Sequence, residues 1–271
     1  MTSLAVRPQS PVLRPLVHSL HYHAMDLAFG LELIVPSGQA HLMVNLAEDE
    51  FRTYPRALPN QVVRHAGAVL AGPRACPVVL DTQEFGWLAA VQFRPGAAAS
   101  FFPMPMTEAA DQTVDLSDLW RSDGILLRDS LLEARTPQQK LALLESWLLR
   151  HLRPAHDRAL PWAIAALRRS MPVATVAAHL GLLPQTFTRR FAAQTGLTPK
   201  RFARVCRLQS VLRAVRQTPA VDWCDLAARH GYSDQSHLVH EFRALAGIAP
   251  TEYKPASARR GNHIPIAPAQ P

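Results

Sequence analysis

Three cysteines, Cys76, Cys206 and Cys224, are all that the 271 residues contain, and they lie far apart. So scattered and odd a set excludes a disulfide framework and gives no paired spacing for a structural zinc ion. Buried, inert thiols are the expectation for Cys206 and Cys224, with a redox-sensing pair as the alternative. No run of eighteen apolar residues occurs, so no segment reads as a membrane-spanning helix. The opening MTSLAVRPQSPVLRP lacks the apolar core of a secretory signal, which makes the cytoplasm the expected location. Neither a G-x-S-x-G elbow nor a phosphate-binding P-loop is present.

Acidic residues are scarce in one half only. Residues 151–271 hold 6 Asp/Glu against 17 Lys/Arg, whereas residues 1–150 hold 15 against 12. The basic excess is nearly all arginine, since Lys200 and Lys254 are the only lysines of the second half. Arginine forks onto phosphate and guanine, so this asymmetry points to nucleic acid, with an anionic surface or a merely solvated face as alternatives.

The chain divides by pattern as well as by charge. Residues 1–15 are Pro-rich and read as extended. Short apolar or alternating runs at 31–36, 41–46, 68–72, 77–81 and 86–95, punctuated by Gly and Pro, predict strands of a small sandwich or barrel. Residues 101–135 read as loops and short helical pieces. A helix is predicted from about 137 to 152, with Thr136 as its cap, Pro137 in its first position and Gln139 completing a capping box. Its stripe is Leu141, Leu144, Leu148 and Leu152, expected to pack on the β-rich part or on a partner subunit. Residues 153–158 read as a linker. From 160 to 253 helical periodicity takes over, and 255–271 reads as a disordered tail.

The helical half contains a repeat. VATVAAHLG (173–181), PQTFTRRF (184–191) and AAQTGLTPKRF (192–202) are echoed by WCDLAARHG (223–231), DQSHLVHEF (234–242) and RALAGIAPTEY (243–253). Gly181 and Gly231 are 50 apart, and Phe191/Phe242, Gly196/Gly247, Pro199/Pro250 and Phe202/Tyr253 are each 51 apart, so the second turn is one residue longer. Each copy has helix-turn-helix physics. Val173, Val176, Ala177 and Leu180 form an apolar stripe, Gly181 allows the positive φ of a sharp turn, and Phe187 and Phe191 face inward. Gln185, Thr188 and Arg189 then share the opposite face, and these side-chain types read base edges. In the second copy Asp222 and Asp225 are expected to cap the scaffold helix and Ser233 the next one. Leu238 and Phe242 point inward there, while Gln235, Ser236, Val239 and His240 point outward. A third helix from about 199 to 215 joins the copies. Phe202, Val205, Leu208, Leu212 and Val215 are its buried side, and Lys200, Arg201, Arg204 and Arg207 form a basic stripe suited to phosphate.

These residues resemble the AraC/XylS family of bacterial transcription regulators over 160–253. The most specific piece is LAARHGYSDQSHLVHEFRALAGIAPTEY (226–253). The resemblance implies two helix-turn-helix units held by one long helix and entering successive major grooves. Base reading would fall to Gln185, Thr188, Arg189, Gln235, Ser236, Val239 and His240, and phosphate contact to Lys200, Arg201, Arg204 and Arg207. Leu183-Pro184 departs from the usual Ser cap of the first recognition helix, and Val239 and His240 stand where a polar residue and Arg are common. VPSGQAHLMVNL (35–46), LAGPRACPVVL (70–80) and VQFRPGAAASFF (91–102) resemble the N-terminal sensing domain of a subset of the family.

The expected architecture is therefore an α+β two-domain chain. A β-rich, cupin-like effector-sensing and dimerisation domain (1–155) precedes a tandem helix-turn-helix domain (156–257) and a disordered tail (258–271). Double-stranded DNA is the expected partner, and RNA polymerase, a small-molecule effector and a second copy of the chain are further candidates. No catalytic residue, cofactor, metal or membrane partner is expected. The alternative is a DNA-binding module fused to a metal-binding or DNA-repair-like enzymatic half. His21-x-His23 could supply two metal ligands to it, but no third follows at cupin-like spacing. The family's repair relatives use a four-cysteine zinc cluster, which three cysteines cannot supply. Asp115 and Asp118 read as a capping pair, and Phe85, Trp87, Phe93 and Phe101 as core.

Overall fold

The computed structural model describes residues 2–25, 30–54, 61–153, 157, 159–217, 221–257 and 260–266. Eleven strands lie among them: β1 (Thr2–Val6), β2 (Val17–Ala24), β3 (Leu31–Ile34), β4 (His41–Asn45), β5 (Glu50–Tyr54), β6 (Val63–Ala66), β7 (Ala68–Ala71), β8 (Val78–Asp81), β9 (Trp87–Phe93), β10 (Thr113–Asp115) and β11 (His263–Ile266). Two antiparallel sheets result, in the orders β1-β2-β9-β4-β7-β10 and β11-β3-β8-β5-β6. The five strands expected from alternation are all present as β3, β4, β7, β8 and β9. β2 escapes that reading because its register shifts between Val17 and Ser19, which interrupts the period of two.

Alternation divides the six-stranded sheet into two faces. Leu20, Tyr22, Leu42, Val44, Leu70, Ala89, Val91 and Phe93 pack one face against three helices, α1 (Leu116–Trp120), α2 (Ser122–Glu133) and α3 (Pro137–His151). The other face meets the second sheet through Met43, Val69, Leu88 and Ala90 with Phe51 and Phe85. Polar groups share this inner space: His21 stacks on His23 at 5.9 Å, and His41 and Gln92 stand beside them. Phe93 and Phe101 are core as expected, whereas Trp87 is half exposed at the start of β9.

Thr136 and Gln139 form the expected capping box on α3. Leu141, Leu144 and Leu148 are buried in the chain's own core against the sheet. The stripe is thus filled from within, and a partner subunit is not needed to cover it. Lys140 is buried because its ammonium donates to the carbonyls of Leu131 and, at 2.8 Å, Ala134, closing the C-terminal end of α2. Asp115 precedes α1 without capping it by side chain. Its carboxylate accepts instead from the Ala66 amide at 3.0 Å, tying β10 to β6.

The second half is all helical up to residue 246: α4 (Leu160–Arg168), α5 (Val173–His179), α6 (Pro184–Thr195), α7 (Pro199–Gln217), α8 (Trp223–Arg229) and α9 (Gln235–Ala246). The expected linker at 153–158 lies mostly outside the described residues. One sequence expectation needs correction. The tail is ordered at 263–266, where β11 pairs with β3, because Ile264 buries an apolar side chain that compositional reading counted as tail. The helical core is also not closed on itself: Leu33, Val35 and Ala75 of the β-rich half pack within it.

Candidate nucleic-acid interface

α5 and α6 form the first helix-turn-helix and α8 and α9 the second, joined by α7. The connecting turns span residues 180–183 and 230–234, reproducing the one-residue difference read from the repeat. Gly181 and Gly231 sit at φ +65° and +75°, with open space where a side chain would point. Conformation and not crowding therefore selects glycine at both turns. Val176 and Ala177 in one unit, and Leu226 and Ala227 in the other, are buried beneath the turns. Phe187 and Phe191 of α6 and Leu238 and Phe242 of α9 point into the same core, with Phe191 edge-on to Phe202 of α7.

Burying those residues turns the opposite faces outward. Gln185 and Arg189 are exposed and Thr188 is half-buried on α6; Gln235, Ser236 and His240 are exposed and Val239 half-buried on α9. Arg189 makes no ion pair among the described residues. Arg190 and Arg243 lie exposed on the same two helices, and the sequence reading passed over both.

The helices start differently. α6 begins at Leu183-Pro184 with no side-chain cap. α9 is capped by Asp234, whose carboxylate accepts from the His237 amide at 2.8 Å; the expected cap, Ser233, instead donates to Asp234 at 3.1 Å. The extra turn residue moves the capping position on by one. That hydrogen bond from the His237 amide holds the Asp234 carboxyl below its ordinary range. Asp222 caps α8, accepting from the amides of Cys224 and Asp225, while Asp225 pairs with Arg229. Cys224 is exposed, contrary to the buried expectation, and its thiol donates to Gln235 Oε1 at 3.1 Å. Cys206 is half-buried, and burial pushes its thiol up to about 11.

The basic stripe of α7 is largely occupied by protein partners. Arg204 forms a bidentate pair with Glu241 of α9, at 2.7 and 2.8 Å. Arg207 donates to the Gly231 carbonyl at 3.0 Å, and its guanidinium lies 5.3 Å from the Tyr232 ring centre. Burial of that ring raises the Tyr232 phenol to about 12. Arg201 donates to Asp111 of the β-rich half at 2.6 Å. Lys200 alone of the four is exposed without an ion pair among the described residues. Arg204 and Arg207 therefore fix the second unit to α7, an outcome invisible in a one-dimensional stripe.

The two halves touch directly. The Met106 amide donates to the Ala193 carbonyl of α6 at 2.8 Å. Beside this contact lies a cleft of about 440 Å³ between Leu16, Pro95 and Ala97 on one side and Leu160 and Ile164 on the other. Arg94, Arg168 and Arg169 stand along it, opposed by Asp157. The sequence could not show this cleft, because its walls come from segments remote in the chain, around residues 15–16, 94–100 and 157–169. Among the described residues no group of three or more His, Cys, Asp or Glu is placed to hold a metal ion. No helix among them is long and apolar enough to cross a membrane.

Residues 163–256 match the model of a helix-turn-helix domain family. Residues 6–115 match a family described as a domain of unknown function (DUF6597). No curated relative matches the chain. Among solved structures it is similar to ToxT from Vibrio cholerae strain SCE256 with an unsaturated fatty acid bound, at 11% identity and a TM-score of 0.42, covering 86% of this chain and 92% of that one. It is also similar to ToxT from Vibrio cholerae O395 bound to (E)-4-(8-methylnaphthalen-1-yl)but-3-enoic acid, at 9% identity and a TM-score of 0.45, covering 86% and 96%.

Proposed function

We propose that the helix-turn-helix domain matched over residues 163–256 is of the AraC type and makes this protein a DNA-binding transcription regulator, which reads DNA as follows. α6 and α9 enter successive major grooves on one face of the duplex, about one helical turn or 34 Å apart. Gln185, Thr188 and Arg189 read bases in the first groove, and Gln235, Ser236, Val239 and His240 in the second. The observation that carries this reading is that five of the seven positions are exposed, with Thr188 and Val239 half-buried, on helices whose opposite faces are buried. Lys200 contacts phosphate. Arg201 can do so only by leaving Asp111, and Arg204 and Arg207 act by bracing the second unit.

The division of labour follows the charge. Residues 156–257 bind DNA, and residues 1–155 serve sensing and self-association rather than catalysis, in the cytoplasm and in reach of RNA polymerase. The effector class follows from the cleft. An apolar floor lined at its edge by Arg94, Arg168 and Arg169 suits an organic acid with an apolar body. Local cation excess is felt at His18, which burial and then Arg94, Arg7 and Arg168 hold below its ordinary value.

Selection of bound fragments from a random duplex pool tests the DNA reading. A consensus with two half-sites one turn apart is expected, and enrichment of no sequence overturns it. For the effector, a long-chain carboxylic acid should raise the melting temperature and the matching alcohol should not. Loss of that difference in Arg168→Gln/Arg169→Gln places the acid in the cleft, and its persistence removes it from there.

A further inference from the structure

The chain's end crosses from the DNA-binding half back to the β-rich half. β11 lies antiparallel on β3, with Ile264 opposite Leu33 and Pro265 opposite Glu32. As the edge strand it tolerates Pro265, which has no amide to donate. Ile264 is buried with Leu33 and Val35 in the helical core. On the other side Glu32 Oε2 meets Arg260 at 2.6 Å and His263 Nδ1 at 2.7 Å. The Glu32 side chain is 1% exposed, and its Oε1 has no hydrogen-bond partner among the described residues. A carboxylate so placed is costly without a cation beside it, and Arg260 of the tail supplies it.

Further contacts bind this segment to α7. Gln209 Nε2 donates to the Pro36 carbonyl at 2.8 Å and to Asn262 Oδ1 at 3.0 Å, so one amide joins β-rich loop, helix and tail. Arg216 donates to Tyr253 Oη at 3.0 Å, and Tyr253 donates in turn to the Gly261 carbonyl at 2.6 Å. A Cβ on Gly261 would stand 2.1 Å from Arg216 Nη1, so any larger residue there must push the Arg216 side chain aside.

Each helix-turn-helix unit is thereby tied to the same β body by its own route. The first is held near Ala193 and Arg201, by Met106 and Asp111. The second is held through Tyr253, which packs edge-on to Phe242 of α9 and leads into β11. Two units tethered separately to one β-rich body are restrained from adjusting their spacing to the duplex. A four-residue edge strand is the weaker tether, because short, peripheral pairings open at low free energy.

We propose that Arg260–Ile266 is a releasable strap: docked on β3 it restrains the second unit, and its lifting accompanies DNA binding. The inference rests on the DNA-binding reading above. Truncation after Ser257 removes Arg259 and Arg260, so loss of charge alone predicts weaker binding to a random 40-base-pair duplex. Release of a restraint predicts the opposite, a gain of about fivefold or more, in the ordinary range of site coupling. Ile264→Asn removes the strap's buried apolar anchor and keeps every charge, and the same gain is expected. Unchanged or weaker binding by folded variants of both kinds overturns the proposal.

Hydrogen exchange of the wild-type chain answers even if both variants misfold. In the free protein, amides of 31–35 and 263–266 should open together, below global unfolding, and adding the duplex should speed them. Opening only with global unfolding, or slower exchange on bound DNA, counts against the strap. Failure of the wild-type chain to bind any duplex strikes the DNA reading instead and leaves the free-protein exchange to judge the strap.

Discussion

Arg189 and Arg207 carry the same charge in different surroundings, and their substitutions should separate accordingly. Arg189 is solvent-facing beside Gln185, so Arg189→Ala should cost about 1–3 kcal/mol on the true site and little on scrambled DNA. Arg207 braces the Gly231 turn, so Arg207→Ala should weaken both and lower the melting temperature. Titration on the two duplexes at one salt concentration checks this; equal losses for Arg189→Ala would move base reading elsewhere. The β-rich half makes a pH prediction of its own. Burial, then charge from neighbouring histidines, pulls His21 and His41 down to about 4. Unfolded imidazoles titrate near 6.5, so from pH 6.5 down to 4 the unfolded chain takes up protons that the folded one refuses, and stability falls with pH in that window. Glu84 has the reverse sign: burial raises its carboxyl to about 7, so its contribution is present below 4.5 and lost as pH rises through 7. Glu84→Gln should therefore raise the melting temperature at pH 8 and leave it unchanged at pH 4.5, while His41→Gln should flatten the acid side. A Glu84→Gln effect equal at both pH values would contradict the assignment. None of this was legible in the sequence, where a histidine on a strand looks alike whichever way it points.

At the scale of elements, patterning located what was strongly periodic and missed what depended on a neighbour. The capping box of α3, the two glycine turns and the inward phenylalanines follow from local chemistry and were readable. The use of each face was not. The α3 stripe was open to two partners, and the fold gives it to the sheet. Leu144→Ala should accordingly destabilise the chain by about 2–5 kcal/mol, as a buried truncation does, with no change of oligomeric state at concentrations where the chain is folded. Denaturant melts and sedimentation test the two halves of that statement, and a variant of wild-type stability with altered sedimentation would restore the subunit interface. On α7 the basic stripe was read as one surface. Arg204 and Arg207 leave it because Glu241 and Gly231, thirty-seven and twenty-four residues on, come into reach only when the helices pack.

For the whole molecule, modularity is the property that the fold changes most. The helical core has Phe187, Phe191, Phe202, Leu208, Leu212, Leu238 and Phe242 of its own, so the fragment 156–257 should fold and bind DNA. It should also melt below the full chain, because Leu33, Val35, Ala75 and Ile264 are missing from that core. Calorimetry of fragment and full chain checks this, and equal melting temperatures would mean that the shared core contributes nothing. The sequence by itself determined the two helix-turn-helix units, their repeat, their turns and their outward residues. Those features rest on short-range rules of helical period, capping and positive φ that a few adjacent residues satisfy. Only the tertiary structure decided that the tail becomes a strand, that an arginine-lined cleft lies between the halves, and that Asp111 takes a cation from the DNA-binding part and Glu32 one from the tail. Each of these joins residues remote in sequence, and a buried carboxylate or an open sheet edge has no signature until its distant partner is brought against it.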